Sequence, residues 1–409
     1  MGVVRKRIKG NLYDYWRYKN RHEEYLGRSD SEVARARARE IDYELNAKTL
    51  GTTRFASSNE VIEQALIGQS ETHSPGRATP ARHTVIIRSP LRLSLGGGGT
   101  DLPAYYSTRG GFFVGAALDR YVHVVLNKRF EEDSVRASYS TTEIVRDANQ
   151  LHHPLIREAL MGVGLRSGVE IVTWADVPAA TGLGSSGSFC VGLLKGIHGY
   201  LGESLDSQAL AEEACDIAMK RLREPSGKQD EYVASFGGLR SYEIATDGQV
   251  TVNDLPLGPK TLNELQSNIM LFYTGIARSS QGILSRQRAT IDREGALQRM
   301  DKIKEIGLMM RDVLVGRDLT RLGELLDEHW KVKRGVVNAL TNDMIDGWYK
   351  LAKENGAIGG KIIGAGGGGF LMVYSNKNYS KIRAAMRKEG LVESTFHFDM
   401  EGCKTLYSV

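Results

Sequence analysis

Residues 178–201 read PAATGLGSSGSFCVGLLKGIHGYL, and they decide the fold because they connect a strand to a helix through a turn of glycine and serine. Before the turn, GVEIVTWADV at 168–177 is rich in the β-branched and apolar residues typical of a strand. After it, apolar residues follow the helical spacing: Phe189, Val191, Leu194 and Ile197. Because the first N–H groups of a helix lack partners and carry partial positive charge, the turn predicts an anion site such as one for phosphate.

Composition places the chain among ordinary globular proteins. Its 409 residues are 41% hydrophobic and 25% charged, and this length predicts two packed lobes with an appendage. The longest apolar runs fall far short of the roughly 20 residues that span a bilayer, and the basic N-terminus lacks the apolar region of a signal peptide. We therefore expect a soluble, cytoplasmic protein with no membrane contact, whose three cysteines are reduced.

Charge is distributed unevenly. Residues 1–82 carry 15 Lys and Arg against 11 Asp and Glu, which leaves 39 against 38 for the rest of the chain. A nearly neutral body makes nucleic acid an unlikely partner. Arg35, Arg37 and Arg39 resemble a basic track, but acidic residues interrupt it, so a salt-bridged helix that contacts the body or another subunit is the better interpretation. A homo-oligomer therefore stays open.

The order of the segments predicts an α+β fold. Residues 1–80 are interpreted as a charged helical extension and linker, with SEVARARAREIDYEL at 31–45 as the helix and THSPGRATPAR at 72–82 as the linker. Strands are predicted at 83–95, 111–118, 121–130 and 168–177, and helices at 185–201 and 207–223. Since strands precede helices, this is not the alternating pattern of a doubly wound sheet. A second lobe begins near 263, with a glycine-rich hairpin at 361–375.

Other phosphate-binding folds fit the sequence poorly. GLGSSG at 182–187 and GAGGGG at 364–369 match G-x-G-x-x-G, but neither lies in the strand–helix–strand setting of a dinucleotide site. The chain has no P-loop motif and no protein-kinase signature. Taken alone, Ser185 and Ser186 are equally well explained as plain helix caps.

Three motifs taken together resemble those of the GHMP kinases, the superfamily of galactokinase, homoserine kinase and mevalonate kinase. They are PLRLSLGGGGTD at 90–101, PAATGLGSSGS at 178–188 and GAGGGGF at 364–370. Further strings are similar to the bacterial D-glycero-D-manno-heptose 7-phosphate kinases: GKQDEY, LFYTGIARSS, LDEHW and GGKIIGAGGGGFLMVY. The resemblance covers residues 85–409.

The resemblance implies a two-lobed GHMP kinase fold and a sugar kinase. The N-terminal lobe, residues 81–262, would combine a mixed sheet with helices and bind ATP, and the C-terminal lobe, residues 263–409, would be ferredoxin-like. ATP and Mg²⁺ would serve transfer of the γ-phosphate to the anomeric hydroxyl of a sugar phosphate, D-glycero-D-manno-heptose 7-phosphate, to give the 1,7-bisphosphate. Fucose, galactose or a uronic acid are alternative acceptors, because fold and phosphate chemistry do not fix the substrate.

Individual roles follow from the matched motifs. Asp230 is the expected catalytic carboxylate, and Arg92 the cation that offsets charge in the transition state. Ser186, or Ser185 in its place, would hold the metal. The expected ATP-binding residues are Pro178, Gly182, Leu183, Gly184, Ser185, Ser186, Gly187 and Ser188. The expected substrate-binding residues are Gly98, Gly99, Thr100, Asp101, Lys228, Gly366 and Gly367.

Two departures from the family pattern leave the metal site open. Several relatives place a glutamate about ten residues before the catalytic aspartate, where this chain has Ala218 and Asp216. Three alternatives stay open: Asp216 substitutes, Glu213 reaches the metal, or the metal relies on water. Glu231 stands where relatives have Gln. A phosphorylated acceptor also needs cations, for which the candidates are Lys228, Arg278, Lys333 and Lys361.

Overall fold

The computed structural model describes residues 82–276, 285, 295–336 and 341–409, together with the backbone of residues 2–8, 11–17 and 23–28. The chain divides into two compact units, Met1–Ser74 and Pro75–Val409. No described helix is long and apolar enough to cross a membrane.

In the first unit, the described backbone forms an antiparallel sheet of three strands. They are β1 (Gly2–Ile8), β2 (Asn11–Arg17) and β3 (Glu23–Arg28), with β2 in the centre. No strand was expected here, although the aromatic residues of NLYDYWR favour one. The helix expected at 31–45 lies outside the described residues, so the helical extension stays a prediction.

The second unit contains, within its described residues, an eight-stranded mixed sheet. Its strands are β4 (Thr84–Gly96), β5 (Gly111–Lys128), β6 (Val135–Ser138), β7 (Thr142–Val145), β8 (Val169–Ala175), β9 (Leu239–Ile244), β10 (Val250–Asp254) and β15 (Lys404–Ser408). The pairing of β6 with β8 is parallel, and the other pairings are antiparallel.

Strand β5 organises this sheet. It was expected as two strands, at 111–118 and 121–130, but it runs unbroken for 18 residues because β4 pairs along it from Thr84↔Asn127 to Gly96↔Val114. Strands β9 and β8 share its other edge. The pairing extends to Gly96, so β4 ends at the glycines of the first motif, where the chain leaves the sheet in a turn.

Helices cover the larger sheet: α1 (Pro103–Arg109), α2 (Pro154–Gly162), α3 (Ser185–Tyr200), α4 (Ser207–Cys215), α5 (Gln229–Phe236) and α6 (Pro259–Asn268). Helix α3 begins at the predicted residue and buries Val191, Leu194 and Ile197 completely in the main core. The helix expected at 207–223 continues beyond α4 as a π-helical segment, Asp216–Arg221. Both α3 and α5 contact β4 near their first residues: the Ser188 hydroxyl donates to the carbonyl of Pro90, and the Gln229 side chain donates to the hydroxyl of Ser94.

A smaller antiparallel sheet has, among the described residues, the strand order β12-β13-β11-β14. Its strands are β11 (Ile269–Tyr273), β12 (Gly359–Ile362), β13 (Phe370–Tyr374) and β14 (Val392–Ser394), and the helices of this region are α7 (Ala296–Val315), α8 (Leu319–Arg334), α9 (Asp343–Glu354) and α10 (Tyr379–Lys388). The expected glycine hairpin is present as β12 and β13.

The last strand, β15, does not stay with this smaller sheet. It pairs with β4 of the larger sheet, from Lys404↔Arg88 to Ser408↔Val85. The lobe boundary at 262/263 therefore stays a prediction, and strand pairing makes β15 an exception to it. The α+β class with a mixed sheet and helices is confirmed.

Candidate active site

A cavity of about 800 Å³ brings the sequence motifs together. Its walls include residues from the first motif, the glycine-serine turn, the GKQDEY string and the third motif. The cavity is large enough to hold a nucleotide and a small acceptor, since ligand pockets commonly span about 300–1,000 Å³.

Arg92 and Asp230 form the central ion pair. Nε of Arg92 donates to Oδ1 of Asp230 at 2.8 Å, and Nη2 lies 2.6 Å from the same oxygen. Nη1 of Arg92 also donates to the carbonyl of Gly182, which ties the guanidinium to the glycine-serine turn. The Arg92 side chain is 6% exposed, whereas that of Asp230 is 33% exposed and lines the cavity. The carboxylate is thus held in place by a buried cation while it remains accessible from the cavity.

The glycine-serine turn leads into α3 and includes the first residues of that helix. Gly182, Gly184, Ser185, Ser186 and Gly187 line the cavity, whereas Pro178, Leu183 and Ser188 do not. Leu183 is buried, and the Ser188 hydroxyl donates to the carbonyl of Pro90 at 2.7 Å. The turn therefore presents backbone and two serines to the cavity, and its other side chains hold it against β4.

Gly187 allows α3 and α5 to approach each other closely. A Cβ atom at this position would lie 2.6 Å from Cβ of Asp230, closer than real Cβ contacts. The absence of a side chain therefore brings the start of α3 against the carboxylate that pairs with Arg92.

The first motif contributes a second carboxylate. Asp101 accepts hydrogen bonds from the N–H of Gly99 at 2.8 Å and of Gln229 at 3.1 Å. Burial raises the pKa of Asp101, and these two backbone hydrogen bonds oppose that effect. Gly98, Gly99 and Asp101 line the cavity. The Thr100 hydroxyl faces the backbone instead, since it donates to the carbonyls of Gly97 and Phe112.

The third motif lies against the glycine-serine turn. The N–H of Phe370 donates to the carbonyl of Thr181 at 3.2 Å. Gly364 and Ala365 line the cavity, but Gly366 and Gly367 do not. This contact brings the two glycine-rich segments to adjacent walls.

Of the four cations considered for an acceptor phosphate, Lys333 lines the cavity and donates to the carbonyl of Gly364 at 3.0 Å. Lys228 is bound to Glu212, with Nζ to Oε1 at 2.7 Å, and is not among the residues that line the cavity. Lys361 is buried and donates to the carbonyl of Leu95, and burial together with Lys333 and Arg92 lowers its pKa well below its ordinary value. Arg278 lies outside the described residues.

The proposed substitutes for the missing glutamate are engaged elsewhere. Asp216 pairs with Lys220 and Arg221, and Glu213 bonds to His198. Neither lines the cavity, but Glu231 and Glu224 do. Burial, followed by the charge of Asp230, raises the pKa of Glu231 to about 8. Across the described ranges, no group of three His, Cys, Asp or Glu side chains is arranged to hold a metal ion.

Several residues that line the cavity were not predicted as site residues from the sequence. The Gln229 side chain donates to the hydroxyl of Ser94 at 2.9 Å, and its place inside the quoted GKQDEY string was the available signal. Aromatic rings form another wall: Tyr139, His153, Trp174 and Phe189. They come from separate elements, so no spacing in the sequence predicts their meeting. Burial lowers the pKa of His153, which favours its neutral ring.

Comparisons with known proteins identify the family. The family model for the GHMP kinases N terminal domain matches residues 147–238, and the model for the GHMP kinases C terminal matches residues 309–391. A D-glycero-alpha-D-manno-heptose 7-phosphate kinase from Campylobacter jejuni is 30% identical over 338 residues, covering 79% of this chain and 98% of that protein.

Two further similarities are more distant. A bifunctional fucokinase/GDP-fucose pyrophosphorylase from Arabidopsis thaliana is 21% identical over 80% of this chain, which spans 33% of that protein. The crystal structure of a D-glycero-D-manno-heptose 1-phosphate kinase from Bacteroides thetaiotaomicron superposes with a TM-score of 0.64 at 23% identity, covering 79% of this chain and 99% of that one. This last likeness supports the fold.

The fold and the cavity define a phosphotransferase that acts on a hydroxyl group of a sugar. More particularly, the chain belongs to the GHMP kinase family, whose members use ATP as the phosphate donor, generally with Mg²⁺. The family resemblance drawn from the three motifs is confirmed.

Proposed function

We propose that this protein transfers the γ-phosphate of ATP to the anomeric hydroxyl of D-glycero-D-manno-heptose 7-phosphate, giving the 1,7-bisphosphate. The observation that carries the proposal is the single cavity in which Asp230, the start of α3 and a lysine from α8 lie on neighbouring walls. The similarity to a heptose 7-phosphate kinase supports the choice of acceptor. Mg²⁺ is the expected companion of the nucleotide.

The ATP phosphates fit the N-terminus of α3. Ser185 and Ser186 are its first residues, and its unpaired N–H groups favour anions. The aromatic wall offers flat apolar surfaces for the base: His153 lies edge-on to Phe189, with ring centroids 5.3 Å apart, and Trp174 is half-exposed. A bound metal would neutralise phosphate charge, and the Ser186 hydroxyl, which lines the cavity, would contribute to holding it.

The acceptor hydroxyl fits beside Asp230. Phosphoryl transfer needs positioning and charge compensation more than covalent help from the protein. Asp230 would orient the attacking hydroxyl and receive its proton, with Arg92 keeping the carboxylate oriented. Asp101 would bind sugar hydroxyls, since an ionised carboxylate acts as an acceptor of hydrogen bonds. Gly98 and Gly99, which line the cavity, would lie beside the ring.

Lys333 favours an acceptor that itself carries a phosphate. Among the described residues that line the cavity, it and Arg92 are the Lys and Arg side chains. The positive charge of the Lys333 ammonium, close to the carbonyl of Gly364, would attract a second anion.

The proposal is tested with the full chain, Mg²⁺-ATP and a panel of sugars, with ADP release as the readout. The panel contains the heptose 7-phosphate, the unphosphorylated heptose, fucose, galactose and a uronic acid. We expect kcat/KM to be highest for the heptose 7-phosphate. Preference for an unphosphorylated sugar would favour the alternative acceptors. If no sugar of the panel stimulated ADP release, the proposal would be overturned.

The variant Lys333→Met tests whether Lys333 binds the phosphate group of the acceptor. We expect KM for the sugar phosphate to rise about tenfold or more, because a hydrogen bond to a charged group contributes ~1.5–3 kcal/mol. KM for ATP should change little. Lys331→Met is the matched control, since Lys331 lies on the same helix and its side chain is 69% exposed. A rise in KM for ATP alone would assign Lys333 to the nucleotide instead.

A further inference from the structure

One carboxylate oxygen at the cavity has no hydrogen-bond partner among the described residues. Four described carboxylate residues line it: Asp101, Glu224, Asp230 and Glu231. Asp101 accepts two backbone hydrogen bonds, and Asp230 accepts those of Arg92. Oε2 of Glu231 is buried and has no hydrogen-bond partner among the described residues, and the whole residue is 4% exposed.

Glu231 lies against the first turn of α3. A Cβ atom at Gly187 would be 3.1 Å from Cδ of Glu231, so the carboxyl group packs directly against this glycine. The residue before Gly187 is Ser186, which is exposed to the cavity. The Glu231 carboxyl group therefore lies next to the part of the helix where we place the ATP phosphates.

A carboxyl group buried in this place ionises readily only with a cation beside it. Burial and the neighbouring charge of Asp230 favour the protonated form of Glu231, and a metal ion that binds the carboxylate would displace that proton. Arg92 is engaged by Asp230 and Gly182, and the Lys228 ammonium by Glu212. A divalent metal ion supplies the missing positive charge and takes oxygen ligands.

We propose that Glu231 is the protein carboxylate that binds the divalent cation accompanying ATP in this cavity. The inference rests on the proposed use of ATP. Mg²⁺ is usually bound through one or two carboxylates together with substrate phosphates and water, so a complete cage of protein ligands is not required. This matches a site with a serine hydroxyl, one unsatisfied carboxylate oxygen and no described cluster of three metal-binding side chains.

The test measures metal binding directly. Mn²⁺ is titrated into the full chain in the presence of a non-hydrolysable ATP analogue, and free Mn²⁺ is followed by electron paramagnetic resonance. In Glu231→Gln, Mn²⁺ affinity should fall about tenfold or more, a loss of the size seen when groups that support a metal site are removed. Affinity for the analogue in EDTA should stay unchanged, and the thermal unfolding midpoint should show that the variant is folded.

Two control variants make the result specific. Asp216→Asn removes a carboxylate that pairs with Lys220 and Arg221 outside the cavity, and it should bind Mn²⁺ like the original protein. Glu224→Gln removes the neighbouring cavity carboxylate and should weaken Mn²⁺ binding less than Glu231→Gln does.

Unchanged Mn²⁺ affinity in Glu231→Gln would overturn the inference, as would a larger loss in Glu224→Gln. In either case the original protein would still bind Mn²⁺ with the analogue, so the proposed function would stand. If the original protein bound neither Mn²⁺ nor the ATP analogue, the inference and the proposed function would both be overturned.

Discussion

Arg92 and Asp230 are 138 residues apart in the chain, yet Nε of Arg92 donates to Oδ1 of Asp230 at 2.8 Å. The same guanidinium bonds to the carbonyl of Gly182, so one side chain connects the first motif, the glycine-serine turn and the GKQDEY string. Because the Arg92 side chain is 6% exposed, solvent screens this pair weakly. The arrangement makes the orientation of Asp230 depend on all three segments.

Replacing Asp230 by Asn should lower kcat by about 10²–10⁴-fold, the usual contribution of a positioned acid or base. Binding of an ATP analogue should persist, because the amide keeps the shape of the side chain. ADP release and equilibrium binding measure the two effects. Asp254→Asn is the matched control, since that side chain is 79% exposed and pairs with Arg240. Full activity in Asp230→Asn would contradict the role assigned to this carboxylate.

Replacing Arg92 by Lys keeps the charge but removes the planar fork that reaches both Asp230 and Gly182. We expect kcat to fall about 10–100-fold, since each hydrogen bond to a charged group contributes ~1.5–3 kcal/mol. Steady-state kinetics give the change, and circular dichroism checks the fold. Equal kinetics for Arg92→Lys and the original protein would show that charge alone is sufficient at this position.

Replacing Gly187 by Ala should destabilise the protein by about 1–3 kcal/mol, the cost typical of overpacking a tight site. The new Cβ would lie 2.6 Å from Cβ of Asp230, so activity should fall as well. Gly199→Ala is the control on the same helix, because its Cβ would meet Val85 at an ordinary 3.5 Å. Alanine favours the helix there by up to about 1 kcal/mol. Urea denaturation compares the two variants, and equal stability would contradict the packing argument.

His198 predicts a pH-dependent contribution to stability. Its Nε2 lies 2.8 Å from Glu213 and its Nδ1 lies 2.6 Å from Glu203. The hydrogen bond that His198 donates to Glu213 raises the pKa of His198 above 6.5, although burial opposes it. The stabilisation is therefore fully present below pH 6.5 and is lost as pH rises through the higher pKa of the folded state.

The measurement compares free energies of unfolding for the original protein and His198→Gln from pH 5 to pH 9. The difference between them should shrink at the alkaline end. His397→Gln serves as the control, since the side chain of His397 is 74% exposed. A difference that stays constant with pH would show that His198 is not charged in the folded protein.

Sequence reasoning reached the fold class, the family and part of the cavity wall, because the motifs are local strings. Five residues of the turn line one cavity with the glycines at 98–99, Asp101 and Asp230: Gly182, Gly184, Ser185, Ser186 and Gly187. Thr100, Lys228 and Ser188 belong to the same strings, but their side chains bond to the backbone of neighbouring segments or to Glu212. Which way a side chain points depends on packing partners that the string does not contain.

By itself, the sequence determined that a helix begins after a glycine-serine turn and that three glycine-rich segments occur in the order of a GHMP kinase, since backbone preference and motif order are properties of short stretches. The tertiary structure decided which charges face the cavity. It brought Lys333 to the wall, buried Lys361 and left Oε2 of Glu231, near Gly187, without a hydrogen-bond partner among the described residues. These outcomes depend on contacts between residues far apart in the chain, which only the packing of strands and helices fixes.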